Sequence, residues 1–351
     1  MDKVAPERRQ AIRVARGSGL NPAPADSIGS EVRWRISRSV ARALQAGLMS
    51  FTIAHLSDPH LGPLPTFRLR DFTAKRAMGY VNWKRGRERL NDMGMLKRLV
   101  ADLRVQKPDH VAMTGDVVNI GLPAEFAAGA AWMHTLGEPG DVSFTPGNHD
   151  AYAHRSMPYL TAAFAPWTIG DEGEGRSPGS YPFLRVRGNV ALIGLSSGVP
   201  TGPLMATGRM GKEQMARFAK MLEETRARGL ARVVLIHHPP LLSGATPMRN
   251  LTDARDFEAI VSARGAEVIL HGHNHKRSVA HLRSSAAATP DGRIPVIGVP
   301  SASSTAKSAR QRAAYHLVRL DFEDAVWRIS VRARGLMPNG GEIGERDEVL
   351  V

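Results

Sequence analysis

Cysteine is absent from the 351 residues of this chain. Its absence excludes disulfide bonds, catalytic thiolates and cysteine-ligated zinc, so any metal site has to be built from His, Asp and Asn. Long apolar runs are also absent, since none reaches the ~18 residues that a membrane-spanning helix needs. The first residues lack the unbroken apolar stretch of a signal peptide, and we therefore expect a cytoplasmic protein.

Acidic residues are scarce relative to basic ones, with 33 Asp and Glu against 47 Lys and Arg. The formal net charge is +14 and the sequence pI is about 10.6. A positive field attracts phosphate-bearing partners, which include nucleotides, nucleic acid and an anionic membrane face. The same charge excess also serves solubility alone, so it does not identify a partner.

Five short motifs rich in His, Asp and Asn occur along the chain, each directly after an apolar run. They are Asp58-Pro59-His60, Gly115-Asp116, Gly147-Asn148-His149-Asp150, His237-His238-Pro239 and Gly272-His273-Asn274-His275. One such motif is common by chance, whereas five in succession are a specific signal. A two-metal hydrolase needs imidazoles and carboxylates that converge from several loops, with one oxygen donor shared by both ions.

The order of these motifs closely resembles the order of metal ligands in the calcineurin-like metallophosphoesterases. The resemblance covers residues 50–320 and is strongest with the bacterial branch that holds cyclic-nucleotide and lipid-linked phosphodiesterases. It implies two divalent ions, which an N/O ligand set allows to be manganese, iron or zinc. It assigns Asp58, His60 and His275 to one ion, Asn148, His237 and His273 to the other, and Asp116 to both.

The resemblance also implies the reaction, which is hydrolysis of a phosphodiester or phosphomonoester by in-line attack of hydroxide. His149 would contact the phosphate and protonate the leaving oxygen, a task that suits imidazole because its pKa lies near neutrality. Asp150 follows His149 and is a candidate to orient its ring; a helix N-cap is the alternative. His238 lies beside His237, but the spacing of the family motif selects His237.

From residue 51 onward, apolar runs alternate with helical periods. The patterns predict strands at 51–56, 109–114, 142–145, 181–187, 189–195, 232–236, 266–270, 294–299, 315–320 and 326–331, and helices at 93–105, 123–134, 211–227 and 253–263. This alternation is typical of largely parallel sheets with helices outside. We predict a four-layer α/β/β/α sandwich of two mixed β-sheets over residues 49–334, with the metal site at one edge, where strands end.

The two ends of the chain have different compositions from the middle. Residues 1–48 are basic and predicted to be disordered, and Met49 is a candidate start of the functional protein. Within this extension, residues 30–46 fit a basic helix that could attach the protein to the inner membrane face. Residues 335–351 are Gly-rich and charged, and they are predicted to form a loose tail.

An insertion at residues 66–89 is the main candidate for substrate recognition. It carries eight Lys and Arg against two Asp and Glu, interleaved with four aromatic residues. Basic and aromatic side chains together suit a nucleotide or a lipid headgroup; a solvated cap with its aromatics packed on the sheet is the alternative.

The substrate consequently stays open at this point. We expect a nucleotide-type phosphoester, with a lipid-linked phosphate or pyrophosphate of the diacylglucosamine-nucleotide type at an anionic membrane surface as the alternative. Nuclease activity or nucleic-acid binding is favoured by charge alone, since no nucleic-acid motif accompanies it.

Overall fold

The computed structural model describes residues 49–66, 71–338 and 341–350. The predictions for residues 1–48, including the basic helix at 30–46, lie outside these ranges. Among the described residues, no helix combines the length and the apolar character that crossing a membrane requires.

The first sheet has six strands in the spatial order β12-β11-β10-β1-β2-β3. Strands β1, β2 and β3 run parallel, whereas β10, β11 and β12 are antiparallel to their neighbours. The strands are β1 (Met49–Leu56), β2 (His110–Met113), β3 (Val142–Phe144), β10 (Ala314–Glu323), β11 (Val326–Leu336) and β12 (Ile343–Leu350).

The second sheet also has six strands, in the order β4-β5-β6-β7-β9-β8. The inner strands β5, β6, β7 and β9 are parallel, and the two edge strands are antiparallel to them. The strands are β4 (Phe183–Arg187), β5 (Val190–Gly194), β6 (Ala231–Leu235), β7 (Val268–His271), β8 (Ser278–Arg283) and β9 (Arg293–Gly298).

Six helices longer than one turn accompany the sheets in the described ranges. They are α1 (Ala74–Asn82), α2 (Met93–Val105), α3 (Pro123–Met133), α4 (Met157–Thr168), α5 (Lys212–Ala227) and α6 (Ala254–Arg264). Helix α1 continues into a π-helical turn, Trp83–Arg87, and a last α-helical turn, Glu88–Leu90. The whole stretch belongs to the insertion.

Three buried clusters define the layers. The first packs α2, α3 and α4 on the first sheet, with Leu99 and Phe164 among its fully buried members. The second packs α5 and α6 on the second sheet through Phe218 and Phe257. The third lies between the sheets and contains side chains of both, such as Val318. The predicted four-layer α/β/β/α sandwich is confirmed.

The C-terminal segment differs from the prediction. Residues 335–351 were expected to be a loose tail, but residues 343–350 form β12, which pairs antiparallel with β11. The predicted domain end at residue 334 falls inside β11. Arg332 Nη1 lies 3.2 Å from Glu345 Oε2 across the pair. The strand is polar because it lies at a sheet edge, and edge strands carry charged side chains that discourage further pairing.

Candidate dinuclear metal site

The five motifs lie at the carboxyl ends of five parallel strands. Strand β1 ends with Leu56 opposite Met113 of β2, and Met113 in turn lies opposite Phe144 of β3. In the second sheet, Leu235 of β6 lies opposite Leu270 of β7. Because neighbouring strands end in register, the loops that follow them leave the sandwich at the same edge.

The loops that carry the motifs contact one another directly, both within the first sheet and between the two sheets. The amide of Asp58 donates to the carbonyl of Gly115 at 2.9 Å, and the amide of His60 donates to that of Asp116 at 3.1 Å. Across the two sheets, the amide of His273 donates to Asp58 Oδ2 at 3.0 Å. The motifs are therefore held to each other by backbone hydrogen bonds as well as by the sheets.

The backbone is strained at the predicted ligands. Ten non-glycine residues in the described ranges have a positive φ, and five of them are predicted ligands, namely Asp58 (53°), His60 (42°), Asp116 (57°), His273 (68°) and His275 (50°). Such conformations are uncommon for residues with a Cβ and collect at functional sites.

Glycine is required beside these ligands. Gly115 has a φ of 98°, and a Cβ there would lie 2.7 Å from His237 Nδ1. At Gly147 a Cβ would lie 2.1 Å from Asp116 Oδ1. Both motifs need glycine because the ligand side chains pack directly against the backbone.

Four predicted ligands form a first group, in which the candidate ligand atoms of Asp58, His60, Asp116 and His275 all lie within 4.8 Å of one another. His275 Nε2 lies 3.1 Å from Asp58 Oδ1 and 3.1 Å from His60 Nε2. His275 is partly exposed, whereas the other three side chains are buried.

The second group contains His237 and His273, whose candidate ligand atoms cluster within 4.8 Å together with that of His238. The family motif adds Asn148, whose side chain is also buried. Asp116 Oδ2 lies 3.3 Å from His237 Nε2 and 3.9 Å from His60 Nε2. The Asp116 carboxylate therefore lies between the two groups, where the proposed bridging ligand has to be.

The chemistry of the candidate ligand atoms suits the binding of two cations. Within the described residues, four buried side-chain atoms of these groups lack a hydrogen bond of good geometry: Asp58 Oδ1, Asn148 Oδ1, His237 Nε2 and His273 Nε2. Asp58 Oδ1 and His237 Nε2 lie close only to other predicted ligands, His275 and Asp116. A buried polar atom without a hydrogen bond costs about 1–3 kcal/mol, so such atoms in these groups indicate a ligand that the side chains are arranged to hold. Imidazole nitrogens with carboxylate and amide oxygens suit borderline divalent metals.

Main-chain carbonyls select the imidazole tautomers. His237 Nδ1 lies 2.6 Å from the carbonyl oxygen of Thr114, and His60 Nδ1 lies 3.3 Å from that of Val118. A carbonyl oxygen only accepts, so each Nδ1 carries the proton and each Nε2 keeps its lone pair for a metal.

The charges in the site are strongly coupled. Burial raises the pKa of Asp116, but the neighbouring His237 and His149 lower it more, and the net pKa is well below the usual range. Burial lowers the pKa of His237, but the carboxylates of Asp116 and Asp58 outweigh it and raise the pKa to about 9. His237 is thus the counter-charge of Asp116, and a cation bound there displaces its proton.

His238 has a different environment from His237. Its Nδ1 lies 2.8 Å from Ser197 Oγ, and its Nε2 lies 3.2 Å from the carbonyl oxygen of Ala206. Both ring nitrogens are already used, although the ring is close enough to His273 to belong to the same cluster. This geometry supports the selection of His237 by the family spacing.

Asp150 does not orient the ring of His149, so that sequence-based interpretation is wrong. Its carboxylate accepts hydrogen bonds from the amides of Asp116 (2.6 Å), Val117 (2.9 Å) and Gly147 (2.9 Å). No helix starts at this point either, which removes the N-cap alternative. The amide of Val118 donates a fourth hydrogen bond. The four hydrogen bonds stabilise the buried carboxylate and connect the second motif to the third.

The His149 ring is held by residues that no motif contains. Its Nδ1 donates to the carbonyl of Asn119. The Asn119 amide in turn donates to Glu125 Oε1 at 2.7 Å, at the start of α3. Tyr152 stacks on the ring with centroids 5.7 Å apart, and Arg87 Nη1 lies 3.2 Å from Nδ1. Sequence reasoning missed these neighbours because nothing local distinguishes Asn119 or Arg87 from other polar residues.

The chain belongs to the calcineurin-like phosphoesterase family, whose model matches residues 51–277. Members of this family are metal-dependent hydrolases of phosphoric esters, and the paired ligand groups described above agree with a dimetal enzyme.

Individual relatives share this architecture. The chain is 27% identical over 233 residues to a protein named "probable cyclic nucleotide phosphodiesterase" from Synechococcus, covering 65% of this chain and 74% of the relative. It is similar in fold to a dimetal phosphatase from Danio rerio, with a TM-score of 0.53, 13% identity and coverage of 84% and 98%. A purple acid phosphatase from yellow lupin seeds gives a TM-score of 0.51 at 10% identity, covering 86% of this chain and 54% of that one.

Proposed function

We propose that this protein is a dimetal phosphodiesterase whose substrate is a nucleotide, with a cyclic nucleotide phosphodiester as the first candidate. The observation that supports the reaction class is the pair of largely buried His and Asp clusters, in each of which the candidate ligand atoms lie within 4.8 Å of one another. The substrate class is supported by the Synechococcus relative, which is named as a cyclic nucleotide phosphodiesterase.

The proposed ligand sets follow the two groups of side chains. Asp58, His60 and His275 would hold one ion, Asn148, His237 and His273 the other, and Asp116 would touch both. Two bound cations polarise the phosphoryl oxygens and activate water for in-line attack. Manganese, iron and zinc all suit this donor set, and metal availability selects among them.

His149 is the proposed group for the leaving oxygen. Burial, and then the positive charge of Arg87, lowers the pKa of His149 to about 3, so the free enzyme holds a neutral ring at pH 7. Its Nδ1 proton is directed at Asn119. Proton donation has to come from Nε2, after the negative charge of a bound phosphate has raised the pKa.

A panel of phosphoesters tests this proposal. With Mn²⁺ added, we expect hydrolysis of bis-p-nitrophenyl phosphate and of a cyclic nucleotide, with slower hydrolysis of mono-p-nitrophenyl phosphate. A protein that hydrolyses none of these esters with Mn²⁺, Fe²⁺ or Zn²⁺ is not the proposed enzyme. Hydrolysis of the monoester alone would support a metal-dependent phosphoesterase but contradict the proposal that its substrate is a phosphodiester.

A second candidate substrate is a lipid-linked phosphate, and one observation favours it. Three segments, residues 72–90, 204–206 and 242–249, reach the histidines of the site through Arg87, the carbonyl of Ala206 and Arg249. They carry seven of the ten exposed large apolar side chains in the described ranges, namely Phe72, Val81, Leu90, Leu204, Met205, Leu242 and Met248. Co-sedimentation with anionic liposomes separates the candidates. Binding that Leu204→Ser and Met248→Ser weaken would favour the lipid substrate, and absence of binding would leave the nucleotide.

A further inference from the structure

The insertion brings one guanidinium group into the site. Arg87 is the last residue of the π-helical turn, and its Nη1 lies 3.2 Å from His149 Nδ1. The carbonyl of Asn119 already accepts the proton of that nitrogen. Nη1 and Nδ1 are then both donors and cannot hydrogen-bond to each other. The N–H groups of Arg87 therefore do not use the His149 ring as an acceptor.

The position of Arg87 is fixed by the rest of the insertion. Arg76 is buried and donates to the carbonyls of Ile120 (3.2 Å) and Gly121 (2.6 Å), in the loop that follows the Asp116 motif. Lys75 donates to the carbonyl of Tyr152 at 2.7 Å. Trp83, at the start of the π-helical turn, is only 5% exposed. A side chain mounted on such an anchored element is held in position rather than free to sample solvent.

The charge of Arg87 has no direct partner among the described residues. No carboxylate of those residues lies within ion-pair distance of its guanidinium, although Asp116 and Asp58 attract it from further away. Burial lowers its pKa from the ordinary value, but an arginine stays protonated at neutral pH. Once cations neutralise Asp58 and Asp116, the positive charge of Arg87 is available to an anion bound in the site.

We propose that Arg87 is a catalytic residue that binds the substrate phosphate, with its guanidinium donating to the non-bridging phosphoryl oxygens. Guanidinium matches phosphate geometry and binds two oxygens at once. Charge on these oxygens changes during in-line displacement, so the contact stabilises the transition state as well as the bound substrate. This assignment rests on the proposed phosphoesterase function of the same site.

Substitution of Arg87 has a matched control in an exposed arginine elsewhere in the same domain. Arg87→Ala should lower kcat/KM for bis-p-nitrophenyl phosphate by about 10²-fold, as removal of one donor to a developing negative charge does. Arg104→Ala removes the same charge from an exposed position in the last turn of α2, outside the insertion, and should leave kcat/KM unchanged. Guanidinium chloride should partly restore Arg87→Ala. An Arg87→Ala enzyme with wild-type kcat/KM would overturn the assignment.

A double mutant separates phosphate binding from positioning of His149. If Arg87 binds phosphate itself, its removal should also lower kcat/KM in a His149→Ala background. If Arg87 acts only through the imidazole, the double mutant should be as active as His149→Ala, and the assignment would be wrong. Metal content, measured for every variant, should stay that of the wild type.

Binding of inorganic phosphate tests the residue independently of turnover. In calorimetry on the Mn²⁺-loaded full chain, Arg87→Ala should weaken phosphate binding by at least about tenfold, and Arg104→Ala should not. If the wild-type protein binds phosphate through Arg87 but hydrolyses no ester, the proposed function is refuted. The role of Arg87 in phosphate binding would still hold. Equal phosphate affinity in wild type and Arg87→Ala would refute the role.

Discussion

Asp116 has the most constrained position of the predicted ligands. It has a positive φ of 57°, its Oδ1 accepts from the amide of His149 at 2.8 Å, and its Oδ2 faces both groups of ligands. Asp150 holds the same loop by its amides. A carboxylate held by this many contacts would position a pair of bound cations as well as ligate them.

Replacing this carboxylate by an amide should therefore be the most damaging change to any ligand. Asp116→Asn keeps the shape but removes the negative charge between the cations, so metal content should fall below that of the wild type. Activity should fall by more than about 10²-fold. Metal analysis of dialysed protein checks the first effect, and Asp324→Asn, on an exposed turn, is the control. Unchanged metal content would mean that Asp116 does not bridge.

His149→Ala separates chemistry from metal binding. If the ring protonates the leaving oxygen, kcat should fall by about 10²–10⁴-fold while metal content stays unchanged. The loss should shrink for esters with a very good leaving group, which departs without a proton. Comparing p-nitrophenyl and alkyl esters measures this. Loss of one metal equivalent would instead identify His149 as a ligand.

Helix α2 illustrates which elements the sequence predicts. Its predicted bounds, 93–105, coincide with the structure because Asp92 caps the first turn and apolar residues recur at helical spacing. Five of the parallel strands, β1, β2, β3, β6 and β7, were found because each is a mainly apolar run that ends at a polar motif. Strand β12 lacks such a pattern, since its exposed edge is charged. Helix α4 was also missed, because it is apolar on most sides and contains Pro166.

The residues of the site likewise divide into those that a local sequence pattern predicts and those that it does not. Six of the seven predicted ligands, all except Asn148, lie in the two clusters because each follows a recognisable strand, and a local motif is enough to locate them. The role of Asp150 depends on amides more than 30 residues away, and no local pattern encodes that distance. Arg87 lies in a run with Arg85 and Arg89, and only the π-helical turn directs it to the site.

The contact between α2 and the C-terminal strands gives a prediction with a defined pH dependence. Arg334 donates two hydrogen bonds to Asp102, at 2.8 and 2.9 Å, and Tyr315 donates a third at 2.6 Å. Burial raises the pKa of Asp102, but these donors lower it more, so the net pKa lies below the usual value. Asp102 therefore stabilises the fold above about pH 4, the pKa of an unfolded Asp, and this contribution is lost as the pH falls through the lowered folded pKa.

Asp102→Asn should accordingly lower the free energy of unfolding by on the order of 1–2 kcal/mol at pH 7. Denaturant unfolding of chelated wild type and variant at pH 7 and at about pH 3 measures the difference, which should narrow in acid. A difference that stays the same at both pH values would show that the effect does not come from the carboxylate charge.

At the scale of the whole molecule, every described element of the sandwich lies between residues 49 and 350. Strand β1 begins at Met49 and lies in the middle of its sheet, between β10 and β2. The basic composition of residues 1–48 predicts that they contribute little to the core, and the one helical pattern among them, at 30–46, is itself basic.

A chain that starts at Met49 should therefore fold, bind its metals and hydrolyse a small ester at the rate of the full chain. Thermal unfolding, metal analysis and turnover of bis-p-nitrophenyl phosphate check the three statements. If residues 30–46 are a basic anchor, the truncation should weaken binding to anionic liposomes without a change in turnover. A large fall in the melting temperature would show that residues 1–48 pack on the domain.

Metal stoichiometry measured together with activity tests the dimetal site most directly. The chain should be reconstituted with Mn²⁺, freed of excess metal, and assayed on bis-p-nitrophenyl phosphate while bound metal is counted. The two ligand groups predict two metal ions per chain, loss of both ions and of activity on chelation, and recovery of both when Mn²⁺ is returned. Full hydrolysis in excess chelator by protein that holds no metal would contradict this account.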